Sequence, residues 1–374
     1  MNKKKKIVVL QVIHALHIGG AENIVAKLTR ALSTKNIDVF VFCINAAGVL
    51  GEELRVEGYN VISNEGANKS QGVFNNTLKN IIRDISPDIV HSHGTTALLE
   101  LGPLYMMNKL PPWVHTYHFG NYPNIKKTYL YAERLFSRFV TGLVAVSDFQ
   151  NDMITNTHWL RKKSLTTIHN GVDEEVFDLS VDELVCFRES LKLQKDDIVV
   201  GCIAVLSRQK GISYLLEAAA KIVALNDRVK FLIVGGGDLD EKLKQQTKTL
   251  QIENNVVFAG WRSDALKVMQ IFDIFVLPSL WEAFSVVVLE AMAAKKPMIL
   301  SNVADHKKLI TDTVSGLLVE PKNVQNLVQK INYMLDNPED AKKMAELAYD
   351  RYEKNFTIIK MAEKYDDFYM RLLD

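Results

Sequence analysis

Ile274-Phe275-Val276-Leu277-Pro278-Ser279-Leu280-Trp281-Glu282-Ala283-Phe284-Ser285-Val286-Val287-Val288-Leu289-Glu290-Ala291-Met292-Ala293-Ala294 is the stretch that decides how this chain reads. Its first four residues form a short apolar run of strand length, and the part after Ser285 is apolar in the manner of a buried helix. A strand, a short loop and a helix N-terminus together form a pyrophosphate cradle. The first backbone N–H groups of a helix have no intrahelical partner, and the macrodipole is positive there. Two carboxylates stand in this stretch. Glu282, in the loop, can meet a sugar. Glu290, inside the helix, can meet a ribose diol, whose hydroxyls would satisfy a carboxylate that is otherwise costly to bury beside Leu289 and Ala291. The alternative for Glu290 is a surface position that suits the dipole. The whole arrangement fits a nucleotide sugar.

Around this stretch, short apolar runs alternate with helical patterns along the entire chain, which predicts parallel sheets covered by helices. The expected strands of the first half are Ile7–Ile13, Asp38–Ile44, Ile89–Ser92, Trp113–Tyr117, Leu143–Val146 and Leu165–Ile168. Those of the second half are Val199–Ala204, Lys230–Val234, Val256–Ala259, Ile274–Leu277, Pro297–Leu300 and Gly316–Val319. A chain of 374 residues exceeds one ordinary core, so two domains are expected. The first domain is expected over residues 1–180 and the second over 190–355. The polar stretch from Asp173 to Asp197 reads as the linker region. An amphipathic helix over 356–374 is expected to pack back on the first domain.

Composition narrows the class further. The chain is 48% apolar and 24% charged, as in water-soluble globular proteins. Cys43, Cys186 and Cys202 are scattered in or near apolar runs and read as buried hydrophobes in a reducing compartment. Lys3 to Lys6 followed by an apolar run imitates a leader peptide, but Gln11, His14 and His17 interrupt it, and a first strand entering a glycine turn fits better. Residues 1–172 carry 19 basic against 12 acidic side chains, and residues 173–374 carry 26 against 32. A basic first half can meet anionic lipid or nucleic acid.

Several smaller constellations lie at expected strand ends. Gly19-Gly20 opens a helix after the first strand, as a phosphate-approaching loop or a plain turn. The full G-x-G-x-x-G fingerprint is absent, which argues against a nicotinamide enzyme. Gly235-Gly236-Gly237-Asp238 reads as a turn with Asp238 capping the next helix, or as a second phosphate loop. Arg208 and Lys210, beside Gly211, can neutralise a diphosphate or form a solvated basic loop. His91, His93, His115 and His118 end two strands, and one of the four is expected to serve a ligand. Basic and aromatic residues interleave over Tyr122–Arg138. With Trp159-Leu160-Arg161-Lys162-Lys163 they read equally as a membrane-surface face or as an amphipathic helix with a solvated side.

With these residues in view, the chain resembles the retaining glycosyltransferases of family four, of the two-lobed GT-B fold. The resemblance rests on the E-x7-E element from Glu282 to Glu290 within P-S-x-x-E-x-F…L-E-A-M-A. Further support comes from Asp88-Ile89-Val90-His91-Ser92-His93, Val144-Ala145-Val146-Ser147, Asn170-Gly171-Val172-Asp173, Gln209-Lys210-Gly211 and Val234-Gly235-Gly236-Gly237. The resemblance implies two Rossmann-like, doubly wound parallel-sheet domains facing a central cleft. Glu282 would reach the donor sugar, Glu290 the ribose, and Lys210 the diphosphate. Gly19-Gly20 would approach the diphosphate from the first lobe, and His118 would contact the sugar. Backbone amides through Ala283, Phe284, Ser285 and Val286 would receive the distal phosphate. No cofactor or divalent metal is implied.

Three departures stand out. The usual E-G-F-G-L loop is here Glu282-Ala283-Phe284-Ser285-Val286. The diphosphate-binding arginine is replaced by Val205, with Arg208 nearby as a substitute. The usual G-G-x-P-E run is here Ala304-Asp305-His306-Lys307-Lys308.

The expected activity is metal-independent transfer of a hexosyl or N-acetylhexosaminyl group, with retention, from a nucleoside diphosphate sugar, UDP above others. The expected acceptor is a hydroxyl of a lipid-linked or surface-polysaccharide glycan. The expected place is the cytoplasm, at the inner face of an anionic membrane, with no nucleic-acid partner. Two other classes stay open on sequence alone: a sugar-nucleotide epimerase on the same scaffold, and a non-catalytic glycan- or nucleotide-binding subunit.

Overall fold

The computed structural model describes residues 6–65, 76–118, 126–158, 165–173 and 179–374. The chain divides into two compact units: Met1–Gly171 with Ile358–Asp374, and Val172–Thr357.

The first unit holds seven strands: β1 (Ile7–Ile13), β2 (Ile37–Cys43), β3 (Asn60–Ser63), β4 (Ile89–His93), β5 (Trp113–Tyr117), β6 (Gly142–Ala145) and β7 (Leu165–Thr167). They are ordered β3-β2-β1-β4-β5-β6-β7, and every pairing is parallel. Chain direction across the sheet reverses between β1 and β4, so the loops after these two strands part to opposite faces and leave a crevice at their carboxyl ends. β3 is the strand the apolar pattern did not predict. It is a four-residue edge strand of which only Val61 is buried, so it carries almost no periodic signal.

The final helix, Ile358–Leu373, belongs to this first unit. Its Tyr369 hydroxyl lies 2.7 Å from His91 Nδ1, and its Tyr365 hydroxyl lies 2.9 Å from Thr116 Oγ1. Phe368 packs on Gly142, where a Cβ would come within 2.7 Å of the ring. A larger residue there would push the helix off the sheet.

The second unit holds β8 (Ile198–Ile203), β9 (Val229–Val234), β10 (Val256–Gly260), β11 (Ile274–Leu277), β12 (Met298–Ser301) and β13 (Leu317–Val319). They are ordered β10-β9-β8-β11-β12-β13, again all parallel. The reversal falls between β8 and β11, which are hydrogen-bonded neighbours. The loops after β8 and β11 therefore flank the switch point, where doubly wound sheets bind ligands.

The region expected as a linker is partly structured. Within it, Val181–Ser190 is a helix of the second unit, opened by a capping box in which Ser180 and Glu183 satisfy each other's backbone N–H groups. None of its residues is buried, so no apolar stripe marked it. Residues 174–178 of that region lie outside the described residues. Cys43 and Cys202 are buried as expected, but Cys186 is exposed on this helix. Asp238 does not cap the helix after the triple glycine. Leu239 occupies that position, ahead of the Asp240–Thr249 helix.

Candidate active site

The second unit gathers its polar groups at the switch point. After β8 the chain runs through Ser207 into a single 3-10 turn, Arg208–Lys210. It then passes Gly211, whose φ of +65° is left-handed, before the helix Ile212–Val223 begins. A Cβ on Gly211 would lie 2.1 Å from the Pro278 carbonyl oxygen. Only glycine therefore lets the loops after β8 and β11 close on each other. Leu280 N–H donates to the Gln209 carbonyl at 2.7 Å and seals that contact.

Closure of the loops places Lys210 on Glu282. Lys210 Nζ lies 2.6 Å from Glu282 Oε1, and Ser279 Oγ donates to the same oxygen at 2.6 Å. Gln209 Nε2 donates to Glu282 Oε2 at 3.4 Å and to the Trp281 carbonyl at 2.9 Å. A buried carboxylate is stable only when its lone pairs are met, and these three donors fix the orientation of Glu282. Gln209 and Ser279 stand in the motifs quoted from the sequence, but sequence reading assigned neither a role. Their signal was position: Ser279 leaves the strand three residues before Glu282, and Gln209 adjoins Lys210.

The loop after Glu282 enters the Val286–Ala293 helix at Ser285, which occupies the N-cap position but makes no side-chain cap bond. Its hydroxyl turns instead to His306 Nε2, at 2.8 Å. The other nitrogen of His306, Nδ1, lies 2.8 Å from the Ser301 carbonyl. A carbonyl only accepts, so Nδ1 carries the proton and Nε2 accepts from Ser285. Burial, opposed in part by the Glu282 charge, keeps this imidazole below its ordinary pKa and neutral. The helix consequently has no side-chain cap, and in its first turn the Val288 amide donates to the Ser285 carbonyl at 3.1 Å. Glu290 is buried in the same helix, which rules out a surface position for it.

The remaining predicted residues lie as follows. Arg208 starts the 3-10 turn with an exposed side chain. Val205 is also exposed. Gly235, Gly236 and Gly237 pack tightly, with virtual Cβ atoms within 2.0 Å of Ala204 O, 2.6 Å of Trp261 Nε1 and 2.7 Å of Leu206 O. That packing is the plain-turn alternative for the triple glycine. Asp238 and Asp240 have the Asp-x-Asp spacing of some metal sites, but Asp240 is paired with Lys244 at 3.2 Å. Among the described residues, no group of three His, Cys, Asp or Glu side chains is gathered for a metal ion.

In the first unit the crevice side of the sheet carries Gly19-Gly20 and the histidines. Gly19 precedes the Gly20–Ser33 helix in extended conformation, and nothing lies within 4 Å of a virtual Cβ on Gly20. His118 follows β5, with Nε2 3.2 Å from His93 Nδ1. Desolvation pushes its imidazole down to about 4. His91, His93 and His115 are buried in the sheet. His91 is held by Tyr369 and Thr116, and His115 by Ser92. His93 meets only the ring of His118 among the hydrogen bonds of the described residues, and His118 alone of the four is partly exposed.

Residues 187–351 match the family described as glycosyl transferases group 1, and residues 18–176 match glycosyltransferase family 4. The chain belongs to the group 1 glycosyltransferases. It is 26% identical over 306 residues, 79% of each chain, to the UDP-Gal:alpha-D-GlcNAc-diphosphoundecaprenol alpha-1,3-galactosyltransferase of Escherichia coli. It is 29% identical over 261 residues to an uncharacterized glycosyltransferase of Methanocaldococcus jannaschii, covering 67% of this chain and 66% of that one. Its backbone superposes on Anabaena HepE, in a crystal structure with UDP-glucose, with a TM-score of 0.87 at 22% identity, covering 98% of this chain and 100% of that one. The fold is GT-B. Of the classes left open by the sequence, this glycosyltransferase is the transferase, and Lys210, Glu282 and the Ser285 loop lie within the segment that the group 1 family matches.

Proposed function

We propose that this glycosyltransferase moves a sugar, with retention of anomeric configuration and without a divalent metal, from a UDP-sugar to a hydroxyl of a lipid-linked or surface-polysaccharide glycan at the inner face of a membrane. One observation carries the reading: Lys210 Nζ and Ser279 Oγ both meet Glu282 Oε1 at 2.6 Å, next to the N-terminus of a helix that has no side-chain cap. A cation, a pinned carboxylate and the positive end of a helix thus stand at one switch point. The UDP donor and the lipid-linked acceptor draw support from the Escherichia coli relative, whose name includes UDP-Gal and a diphosphoundecaprenol acceptor.

In this reading the anomeric C–O bond to the diphosphate breaks, and a new C–O bond to the acceptor oxygen forms on the same face of the sugar. The acceptor proton passes to the departing phosphate oxygen. Negative charge grows on the diphosphate as it leaves. In this reading Lys210 and the backbone amides around Ala283–Val286 receive that charge and lower the barrier by stabilising it. Glu282 faces the sugar, and Glu290 accepts from the ribose hydroxyls. Arg208 takes the role of the arginine replaced by Val205.

The test is release of nucleoside diphosphate from UDP-, GDP-, ADP- and dTDP-sugars with EDTA present. Release from the UDP-sugar, lost in Glu282→Gln while nucleotide binding persists, supports the reading. Release that requires added metal, or that Glu282→Gln leaves unchanged, overturns it. The anomeric configuration of the product, read by NMR, checks retention.

A further inference from the structure

Between Glu100 and Asp148 the sequence contains a single acidic residue, Glu133. The structure buries it. Glu133 sits in the Lys127–Phe136 helix, where it accepts from Thr95 Oγ1 at 2.5 Å and lies 3.1 Å from His158 Nε2. The same helix turns Phe136 inward onto Gly102 of the Gly94–Met107 helix, where a Cβ would meet the ring at 2.2 Å. The inner face of the helix is thus fixed by one buried carboxylate and one ring.

The outer face is unusual for a surface exposed to water. Tyr131, Leu135 and Phe139 are spaced four apart along the helix and the Ser137–Phe139 turn that continues it, so they share one side. They are 63%, 42% and 40% exposed. Lys126, Lys127 and Arg138 flank them, also exposed. On the neighbouring helix, Met106 lies one turn beyond Gly102 on the same face. It and Met107 are exposed, and Lys109 follows. Among the described residues of this patch, no acidic side chain reaches the surface.

From this arrangement we propose that the outer face of Lys127–Phe139, with the end of the Gly94–Met107 helix, docks on an anionic lipid bilayer. The proposal rests on the membrane-face reading above and names the surface responsible. Its physical basis is charge complementarity combined with amphipathic rings. Lysine and arginine are drawn to the negative headgroup layer, each worth about fivefold in partitioning. Tyrosine, phenylalanine, leucine and methionine bury their apolar parts at the acyl boundary, with tyrosine keeping its hydroxyl wet. Burying the sole carboxylate removes the one group that the same surface would repel. A second protein copy is disfavoured because two such faces would oppose their positive charges.

Flotation of the full chain with phosphatidylcholine vesicles and with mixed phosphatidylcholine–phosphatidylglycerol vesicles tests the proposal. The expected result is binding only to the mixed vesicles, weakened by salt. Lys127→Glu/Arg138→Glu is expected to lower partitioning by roughly 25-fold or more, from the per-residue effect. Tyr131→Ser/Leu135→Ser is expected to reduce it independently of salt. Equal binding to both vesicle types, or binding untouched by both double variants, would overturn the assignment. So would a concentration-dependent dimer, broken by Tyr131→Ser/Leu135→Ser, in a protein that does not float. Donor release without vesicles is measured in parallel. Intact release with absent flotation removes the docking surface and leaves the donor chemistry standing, whereas flotation without release does the reverse.

Discussion

Ser285, at the N-terminus of the Val286–Ala293 helix, and His306, 21 residues later, are hydrogen-bonded to each other at 2.8 Å. A serine at a helix N-cap ordinarily accepts from the second or third backbone N–H of its own helix. Here the hydroxyl is committed to His306, whose orientation is fixed by the Ser301 carbonyl. His306→Ala frees Ser285 to cap the helix and compete with a bound phosphate. An N-cap bond is worth about 1 kcal/mol, so the affinity for UDP is expected to drop about fivefold. The double variant Ser285→Gly/His306→Ala, with no hydroxyl to turn inward, should regain most of that loss. Calorimetric titration of UDP into the three proteins checks both steps.

Ser279 donates to the Glu282 oxygen that also meets Lys210. Ser279→Ala removes one of the bonds that aim the carboxylate while leaving its charge and its lysine in place. Hydrogen bonds to charged groups contribute about 1.5–3 kcal/mol, so kcat should fall between about tenfold and a hundredfold. Donor KM is expected to stay near its original value, because Ser279 is proposed to orient Glu282 and not to hold the donor. Steady-state kinetics over a range of donor concentration separates the two quantities. A loss seen only in KM would contradict the orienting role.

Two left-handed positions invite opposite substitutions. Gly211, at φ +65°, would drive a Cβ against the Pro278 carbonyl, so Gly211→Ala should destabilise the second unit by about 2 kcal/mol or more. Ala304 adopts φ +46°, a left-handed conformation that favours glycine. Ala304→Gly removes the Cβ penalty of about 1–2 kcal/mol, offset in part by the greater freedom of glycine in the unfolded chain. It should raise the melting temperature slightly. Thermal unfolding of the two variants against the parent measures both signs.

The buried histidines of the first unit make it acid-sensitive. Burial lowers the pKa of His91 and His93 well below the ordinary value of 6.5, His115 to about 3 and His118 to about 4. Below about pH 6.5 the unfolded chain binds protons that the folded unit refuses, so stability rises with pH through this range and is lost on acidification. These groups contribute their full stabilisation above about 6.5 and lose it progressively as pH falls toward 3. Melting temperature should therefore fall steeply between pH 6.5 and 4, and His115→Asn should flatten that slope. A melting temperature independent of pH across this window would show that the imidazoles are protonated inside the fold.

The sequence by itself determined the two parallel sheets. Buried parallel strands need continuous apolar runs, and twelve of the thirteen could be read that way, with β3 missed because a short edge strand buries too little to leave a pattern. It also determined the E-x7-E stretch, since the strand, the loop, both carboxylates and the helix follow one another within one continuous segment. The helix Val181–Ser190 was hidden because capping, not burial, makes it. Only the tertiary structure decided that Lys210 lies on Glu282, 72 residues away. It also decided that Ser285 answers to His306 and that Glu133 turns inward from an otherwise cationic face. The physical reason is common to all three. Side-chain partnership depends on which strands are neighbours in the sheet: the order β10-β9-β8-β11-β12-β13 brings the loops after β8, β11 and β12 to one edge, and the run β4-β5-β6-β7 in the first unit makes neighbours of the connections that carry Thr95, Glu133 and His158, adjacencies that distance along the chain does not encode.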